Sequence, residues 1–299
     1  RILYNGFLSG VSLSGDRFFY PNPLASDGRT AFNEGGATRV PWFQCACCPP
    51  NIARLMASLP GYVYAQTGRT VYVNQFVNGT ARLSVDGVAL RLTQQSDYPW
   101  QGDIRIRVEP DAAATFTLRV RVPGWARHEA IPGGLYRFLD RRLDAVTLVV
   151  NGRPVPVKPE RGFAVIARHW QPGDTVTLHL PLPVRTVGAR DDVAANRGRI
   201  AFQRGPIVFC AEGVDNANRV LDLAIPLRDE SRTDFDYTFR SDLLGGVGLL
   251  TGTARRRGAE QRERITLVPY YAWSHRGAGE MTVWFPAEVP VRPPRPLAE

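Results

Sequence analysis

The feature of this 299-residue chain that most restricts its fold is a long series of short, period-two apolar runs cut by turn residues. Tyr62-Val63-Tyr64-Ala65, Thr70-Val71-Tyr72-Val73, Ala81 with Leu83 and Val85, Ile104 with Ile106 and Val108, Phe116 with Leu118, Val120 and Val122, Val146 with Leu148 and Val150, Val176 with Leu178 and Leu180, and Ile200 with Phe202 form the series. Successive strand side chains point to opposite faces, so such runs mark strands with one buried face. Between them, Asn78-Gly79, Asp86-Gly87, Asn151-Gly152 and Pro172-Gly173-Asp174 supply the backbone that tight turns demand. The 28 glycines and 24 prolines are spread along the whole chain, as many turns between short elements require. With no long helical period between the runs, the pattern predicts a mainly β fold built on an antiparallel β-sandwich. Further runs near 207–210, 220–223, 265–267 and 281–285 predict a second, smaller β region.

The first 60 residues follow another pattern. Ile2, Leu3, Phe7, Leu8 and Val11 approximate one face of a helix that stops at Ser14-Gly15-Asp16. Phe18-Phe19-Tyr20 reads as a short strand stopped by Pro21 and Pro23. Residues 25–41 show no period, and their length suggests a functional loop or lid. A helix over about 52–59 follows, opened by Pro49-Pro50 and ended by Pro60-Gly61. The expected organisation is a helical tail over 1–60, a β-sandwich over 61–200 and a smaller β domain over 201–299. The chain opens without methionine, with a helical pattern already under way, so it is expected to be the downstream part of a longer polypeptide.

Its formal charge is +9, and Lys158 is its one lysine. Arginines alternate with apolar residues, as in Arg105-Ile106-Arg107 and Arg119-Val120-Arg121, which places them on the outer faces of sheets. The one dense group, Arg255-Arg256-Arg257 with Arg262 and Arg264, lies in a Gly-flanked loop or hairpin tip without the interleaved aromatics that stack on bases. Nucleic acid is therefore not an expected partner. Nor is a membrane, since no run approaches the ~20 apolar residues of a spanning helix.

Three of the four cysteines, Cys45, Cys47 and Cys48, fall within four residues. Adjacent Cys47 and Cys48 resist pairing with each other because the ring would be strained. Cys210, in Ile207-Val208-Phe209-Cys210, reads as a buried inert thiol. Metal ligation and a reactive thiolate are both open for the cluster, as is a crowded set of core thiols. Zinc favours ionised thiolates, and a helix N-terminus lowers thiol pKa. His128, His169, His179 and His275 show no paired ligand spacing.

The string Trp42-Phe43-Gln44-Cys45-Ala46-Cys47-Cys48-Pro49-Pro50-Asn51-Ile52-Ala53-Arg54, preceded by Tyr4-Asn5-Gly6 and Phe18-Phe19-Tyr20-Pro21-Asn22-Pro23-Leu24, resembles the zinc-dependent β-L-arabinofuranosidase family of glycoside hydrolases. Val122-Pro123-Gly124-Trp125-Ala126, Trp170-Gln171-Pro172-Gly173-Asp174 and the segment from Gly198-Arg199-Ile200 to Arg204-Gly205-Pro206 are similar to that family's β portion, in order. The resemblance implies that residues 1–60 end a truncated (α/α)6 barrel. It also implies a retaining glycosidase in which a cysteine thiolate, instead of a carboxylate, attacks the anomeric carbon. On the matching positions, Cys47 is nucleophile and zinc ligand, Cys48 is a second ligand, and Tyr20 and Asn22 lie on the rim of the sugar pocket. Tyr20 would bond a substrate hydroxyl or the thiolate, or else pack as a strand-end aromatic. Trp42 would stack on a sugar or anchor the cysteine turn.

The family's remaining zinc ligands, a Glu-x-Cys pair, and its general-acid glutamate have no counterpart here. Before Cys47 the acidic residues are Asp16, Asp27 and Glu34. The zinc site and the proton donor are therefore expected to be incomplete, and the isolated chain inactive. Arabinofuranose-containing oligosaccharides or glycopeptides are the implied substrates, the missing barrel the implied partner, and a homodimer a compatible assembly. Reduced thiols favour the cytoplasm. Two other readings stand beside this one: a non-catalytic carbohydrate-binding or supporting β-sandwich, and a structural zinc knuckle.

Overall fold

The computed structural model describes residues 2–140, 144–227 and 234–288. The fold is mainly β, with three sheets among the described residues. Two compact units share them: residues 50–132 with 142–183, and residues 1–49 with 133–141 and 184–299.

The first of these units is a sandwich. Its six-stranded sheet runs, in spatial order, Arg153–Val155, Thr147–Val150, Asp174–His179, Asp103–Pro110, Val88–Ser96 and Gly79–Val85. Its four-stranded sheet runs Phe163–Trp170, Ala114–Arg121, Thr70–Val73 and Tyr64–Thr67. Inward residues of both sheets form one apolar cluster that includes Val71, Leu92, Ile106, Leu118, Trp170 and Val176. Alternation does what it predicts: Ile104, Ile106 and Val108 are fully buried, while the outward Glu109 accepts from Arg91 at 3.0 Å and Arg107 at 2.9 Å. Trp170 closes the core, stacked on Phe116 with its indole N–H donated to the Phe116 carbonyl at 3.0 Å.

The turns follow the residues that set them. Asp86-Gly87 and Asn151-Gly152 both have positive φ at two successive positions, the geometry that joins two strands with the right twist. Gly102 is required for another reason: a Cβ there would stand 1.9 Å from the Leu180 carbonyl oxygen. One expectation needs amending, because Thr70–Val73 pairs parallel with Ala114–Arg121. The intervening chain crosses to the other sheet to make three strands before it returns, and a crossover of that length allows parallel pairing.

The second unit is organised on an 11-stranded sheet. Its central strands, Ile207–Glu212, Arg262–Pro269 and Val247–Arg256, are flanked by Leu223–Pro226, Phe285–Glu288, Arg199–Arg204, Val184–Ala189 and Tyr136–Phe138. Phe202, Phe209, Phe285 and Trp273 are buried in it. Cys210 is fully buried there too, and desolvation pushes its thiol well above the ordinary value. The arginine cluster lies on a hairpin with Arg255 opposite Arg262. Arg256 is held by Asp222 at 2.8 Å and Glu263 at 2.9 Å.

The N-terminal segment is less helical than its apolar spacing predicts. A single π-helical stretch covers Leu3–Phe7, and the chain turns away at Gly10. Asn5 explains this local break, since its side chain acts as a strand substitute. Its amide donates to the Pro206 carbonyl and its oxygen accepts the Val208 N–H, both at 2.8 Å. Phe18 makes isolated bridges to Val11 and Val40, so the expected strand at 18–20 shortens to one residue. Within the expected loop, Ala25–Asp27 adds an antiparallel edge strand to Glu280–Thr282. The expected helix after the cysteines spans Pro50–Ser58, with proline at the position where a missing N–H is harmless.

Candidate active site

The cysteine turn is placed by two segments that meet beneath it. Phe18 and Val40 exchange backbone hydrogen bonds at 2.9 and 3.1 Å, which brings the chain before Tyr20 beside the chain entering Trp42. The Phe19 N–H goes to the Gly10 carbonyl at 3.1 Å, and that of Tyr20 is taken by the side chain of Asn33 at 2.9 Å. Asn33 is fully buried, and its amide also donates to the carbonyls of Phe18 at 3.0 Å and Thr38 at 2.9 Å. It therefore clamps both segments with one side chain.

Arg39 fixes the same region from below. Arg39 is 3% exposed, and its guanidinium donates to the carbonyls of Ser9 at 3.0 Å, Trp273 at 2.7 Å and Tyr271 at 3.2 Å. It also lies 4.4 Å above the Phe19 ring, which stacks on Trp273 at 5.0 Å. Burial pulls the Arg39 pKa down to about 10, so it stays charged near neutrality.

On this support stand Tyr20 and Cys47. The Tyr20 ring meets the buried Phe43 edge-on, with centroids 4.5 Å apart. Its hydroxyl accepts the backbone N–H of Cys47 at 3.0 Å and lies 3.5 Å from the Cys47 sulfur. It also bonds the Cys45 carbonyl. The Cys47 and Cys48 sulfurs are 3.6 Å apart, and none of the cysteines is disulfide-bonded.

The three groups share charge unequally. Hydrogen bonding from Tyr20, then from Cys48, lowers the Cys47 pKa. The same contact with Cys47 raises both Tyr20 and Cys48. A negative charge in this turn therefore settles on Cys47, the condition for a sulfur nucleophile.

The expected site residues separate on this geometry. Tyr20, Cys47 and Cys48 come together. Asn22 is exposed, and among the described residues its side chain makes no hydrogen bond to the turn. Trp42 is 78% exposed and anchors nothing; the adjacent Phe43 is the apolar anchor. Asn33, Arg39 and Phe43 escaped the sequence reading. Asn33 had one visible signal, its place just before Glu34-Gly35-Gly36 in a turn-rich stretch.

The donor chemistry fits zinc as far as it goes. Two sulfurs bound at about 2.3 Å in a tetrahedron stand about 3.8 Å apart, close to the 3.6 Å observed. Among the described residues, no group of three or more His, Cys, Asp or Glu side chains is placed to hold a metal. The turn thus offers two sulfur donors, where a tetrahedral zinc site takes four.

Comparison with known proteins agrees with this geometry. Residues 1–61 match the GH127 β-L-arabinofuranosidase catalytic domain, 70–182 the middle domain of that family and 184–286 its C-terminal domain. A curated relative from Bifidobacterium longum subsp. longum, a non-reducing end β-L-arabinofuranosidase, is 34% identical over 94% of this chain and 44% of its own length. A solved GH127 β-arabinofuranosidase superposes with a TM-score of 0.89 at 42% identity, covering 96% of this chain and 44% of that one. A GH127 β-L-arabinofuranosidase from Geobacillus stearothermophilus gives 0.83 at 37% identity, covering 96% and 45%. The chain thus spans a little under half the length of these relatives. With three successive family domains matched in order and the cysteine turn in the first, the chain belongs to glycoside hydrolase family 127.

Proposed function

We propose that this chain is part of a retaining glycoside hydrolase that releases terminal β-L-arabinofuranosyl residues, with Cys47 as nucleophile. The observation that carries the reading is the Tyr20–Cys47 pair, a phenol hydroxyl 3.5 Å from a sulfur whose ionised form it favours, in a segment matching the family's catalytic domain. Residues 1–60 are read as the end of that domain's helical barrel. The likeness to β-L-arabinofuranosidases supports the sugar and the glycosidic linkage.

The reaction has two displacements. The Cys47 thiolate attacks the anomeric carbon; the C–O bond breaks as a carboxylic acid gives its proton to the leaving oxygen. The resulting glycosyl thioether is then attacked by water, whose proton returns to the carboxylate, releasing arabinose and the thiolate. Two inversions restore the starting configuration. Tyr20 holds the Cys47 backbone and sulfur, and Asn33 holds Tyr20. Asn22 is assigned to the pocket rim.

Cys47 and Cys48 would hold zinc, whose charge would favour ionised thiolates at neutral pH. The Glu-x-Cys ligands and the general acid are assigned to chain outside this sequence, so residues 1–299 alone are expected to be inactive. The substrate class is arabinofuranose-containing oligosaccharides or glycopeptides.

Proton NMR of the first-formed sugar tests the stereochemical core of this reading. A protein joining this chain to a complete family catalytic domain should give β-L-arabinofuranose first. Immediate formation of the α anomer would require single displacement and exclude a covalent cysteine intermediate.

A further inference from the structure

A second site lies in the unit built on the 11-stranded sheet. A cleft of roughly 600 Å³ opens between the Asp27-Gly28-Arg29 turn, the Glu212-Gly213-Val214 turn and the loop from Arg276 to Glu280. That volume falls within the range of sites for small organic ligands, about 300–1,000 Å³. We infer that this cleft binds a neutral, hydroxyl-rich ligand, a saccharide.

Its walls are lined in part by backbone. At Gly28, with φ +71°, a Cβ would stand 2.7 Å from the backbone of Gly279. The two loops therefore touch through bare main chain, and a strand pairing of Ala25–Asp27 with Glu280–Thr282 holds them in register. Opposite, the buried Glu212 is fixed by the Ser274 N–H at 2.7 Å and by Arg276 at 2.6 Å. The Arg276 fork continues to Asp215 at 2.8 and 2.6 Å. Glu280 is anchored by one oxygen, which accepts the N–H groups of Val220 at 2.6 Å and Leu221 at 3.1 Å.

What this leaves unengaged defines the ligand. Among the described residues, the other Glu280 oxygen accepts no hydrogen bond and the exposed Arg29 guanidinium makes none, and both residues line the cleft. The cleft thus offers donors and acceptors side by side, and a hydroxyl both donates and accepts. An anion would face Asp27, Glu212 and Glu280 against two guanidiniums. A metal cation would find Glu212 and Asp27 already committed to Arg276, Ser274, Arg29 and Thr30. Val214, 53% exposed, gives an apolar patch for the C–H face of a sugar ring.

The test is a binding titration followed by ligand-observed NMR on this chain, so it needs no turnover and is independent of the reaction proposed for Cys47. The probes are a neutral arabino-oligosaccharide, an oligogalacturonate and calcium chloride. The neutral sugar should bind wild type, and the two charged probes more weakly or not at all. Arg29→Ala should weaken binding about fivefold or more by removing an unengaged donor. Ala278→Trp, at an exposed lining position, should fill the cleft and abolish binding while the circular dichroism spectrum stays unchanged. Should Ala278→Trp misfold, Arg29→Ala and Glu280→Gln together carry the test. Absence of saturable binding by the neutral sugar, preference for a charged probe, or full binding by the folded variants would overturn the assignment.

Discussion

At the cysteine turn a single phenolic proton has two acceptors, the Cys45 carbonyl and the Cys47 sulfur, and it can be given to only one. An ionised Cys47 would draw it toward sulfur, while the Cys47 N–H donates to the phenol oxygen. Removing the hydroxyl should therefore cost reactivity. Tyr20→Phe is expected to slow alkylation of Cys47 by iodoacetamide at pH 7.5 about three- to tenfold, since thiolate loss is partly offset by the greater nucleophilicity of a more basic sulfur. Peptide mass spectrometry against time reads the rate, and an unchanged rate would remove Tyr20 from the role given to it.

A second residue makes the molecule's stability depend on pH. His275 sits behind Arg39, 3.5 Å from its guanidinium. Burial first, and the Arg39 charge second, lower its pKa to about 4. The unfolded chain, with His near 6.5, binds this proton more readily than the folded one, so stability is complete above about 6.5 and falls as the pH drops toward 4. His275→Gln should flatten the dependence of melting temperature on pH between about 4 and 6.5. An identical slope in wild type and variant would assign the effect elsewhere.

At the scale of elements, the sandwich strands were legible because both signals they need are local. Alternation selects a buried face and an Asn-Gly or Asp-Gly pair sets the turn, as at Asp86-Gly87 and Asn151-Gly152. The parallel strand Thr70–Val73 was not legible, because its direction depends on a long crossover. The N-terminal segment misled for a related reason. Ile2, Leu3, Phe7 and Leu8 have helical spacing, yet Asn5 makes a better pair of bonds with the edge at Pro206 and Val208. Cys47, Cys48 and Tyr20 were readable from motif and chemistry; their supports, Asn33 and Arg39, act through contacts with distant carbonyls that no spacing reveals.

Arg39 is the support with the largest measurable consequence. Arg39→Met keeps much of the apolar stem over Phe19 but strands the buried carbonyls of Ser9 and Trp273 and the part-buried one of Tyr271. A loss of about 3 kcal/mol or more is expected, which corresponds to a fall in melting temperature on the order of 10 °C. Calorimetry of wild type and variant checks this, and a change below about 1 kcal/mol would show the carbonyls are otherwise satisfied.

At the scale of the whole molecule, two compact units each bury apolar residues of their own, and the proposed chemistry is concentrated in the short segment between Tyr20 and Cys48. That segment holds the proposed nucleophile, one hydrogen-bonding phenol and two sulfurs proposed as zinc ligands. A glycosidase needs more: an acid for the leaving oxygen and walls around the sugar. The middle and C-terminal family domains make up most of this chain, whereas its relatives extend over more than twice the aligned length. On the proposed function, the turn is held by the unit built on the 11-stranded sheet, and its reaction partners are assigned to the remainder of the catalytic domain.

The most direct test of the central claim is release of p-nitrophenol from p-nitrophenyl β-L-arabinofuranoside by a protein joining this chain to a complete family catalytic domain. Wild type should turn over, and Cys47→Ala should lose activity about a thousandfold or more, as enzymes do when their nucleophile is deleted. Turnover by Cys47→Ala within about tenfold of wild type would contradict the assignment of Cys47 as nucleophile.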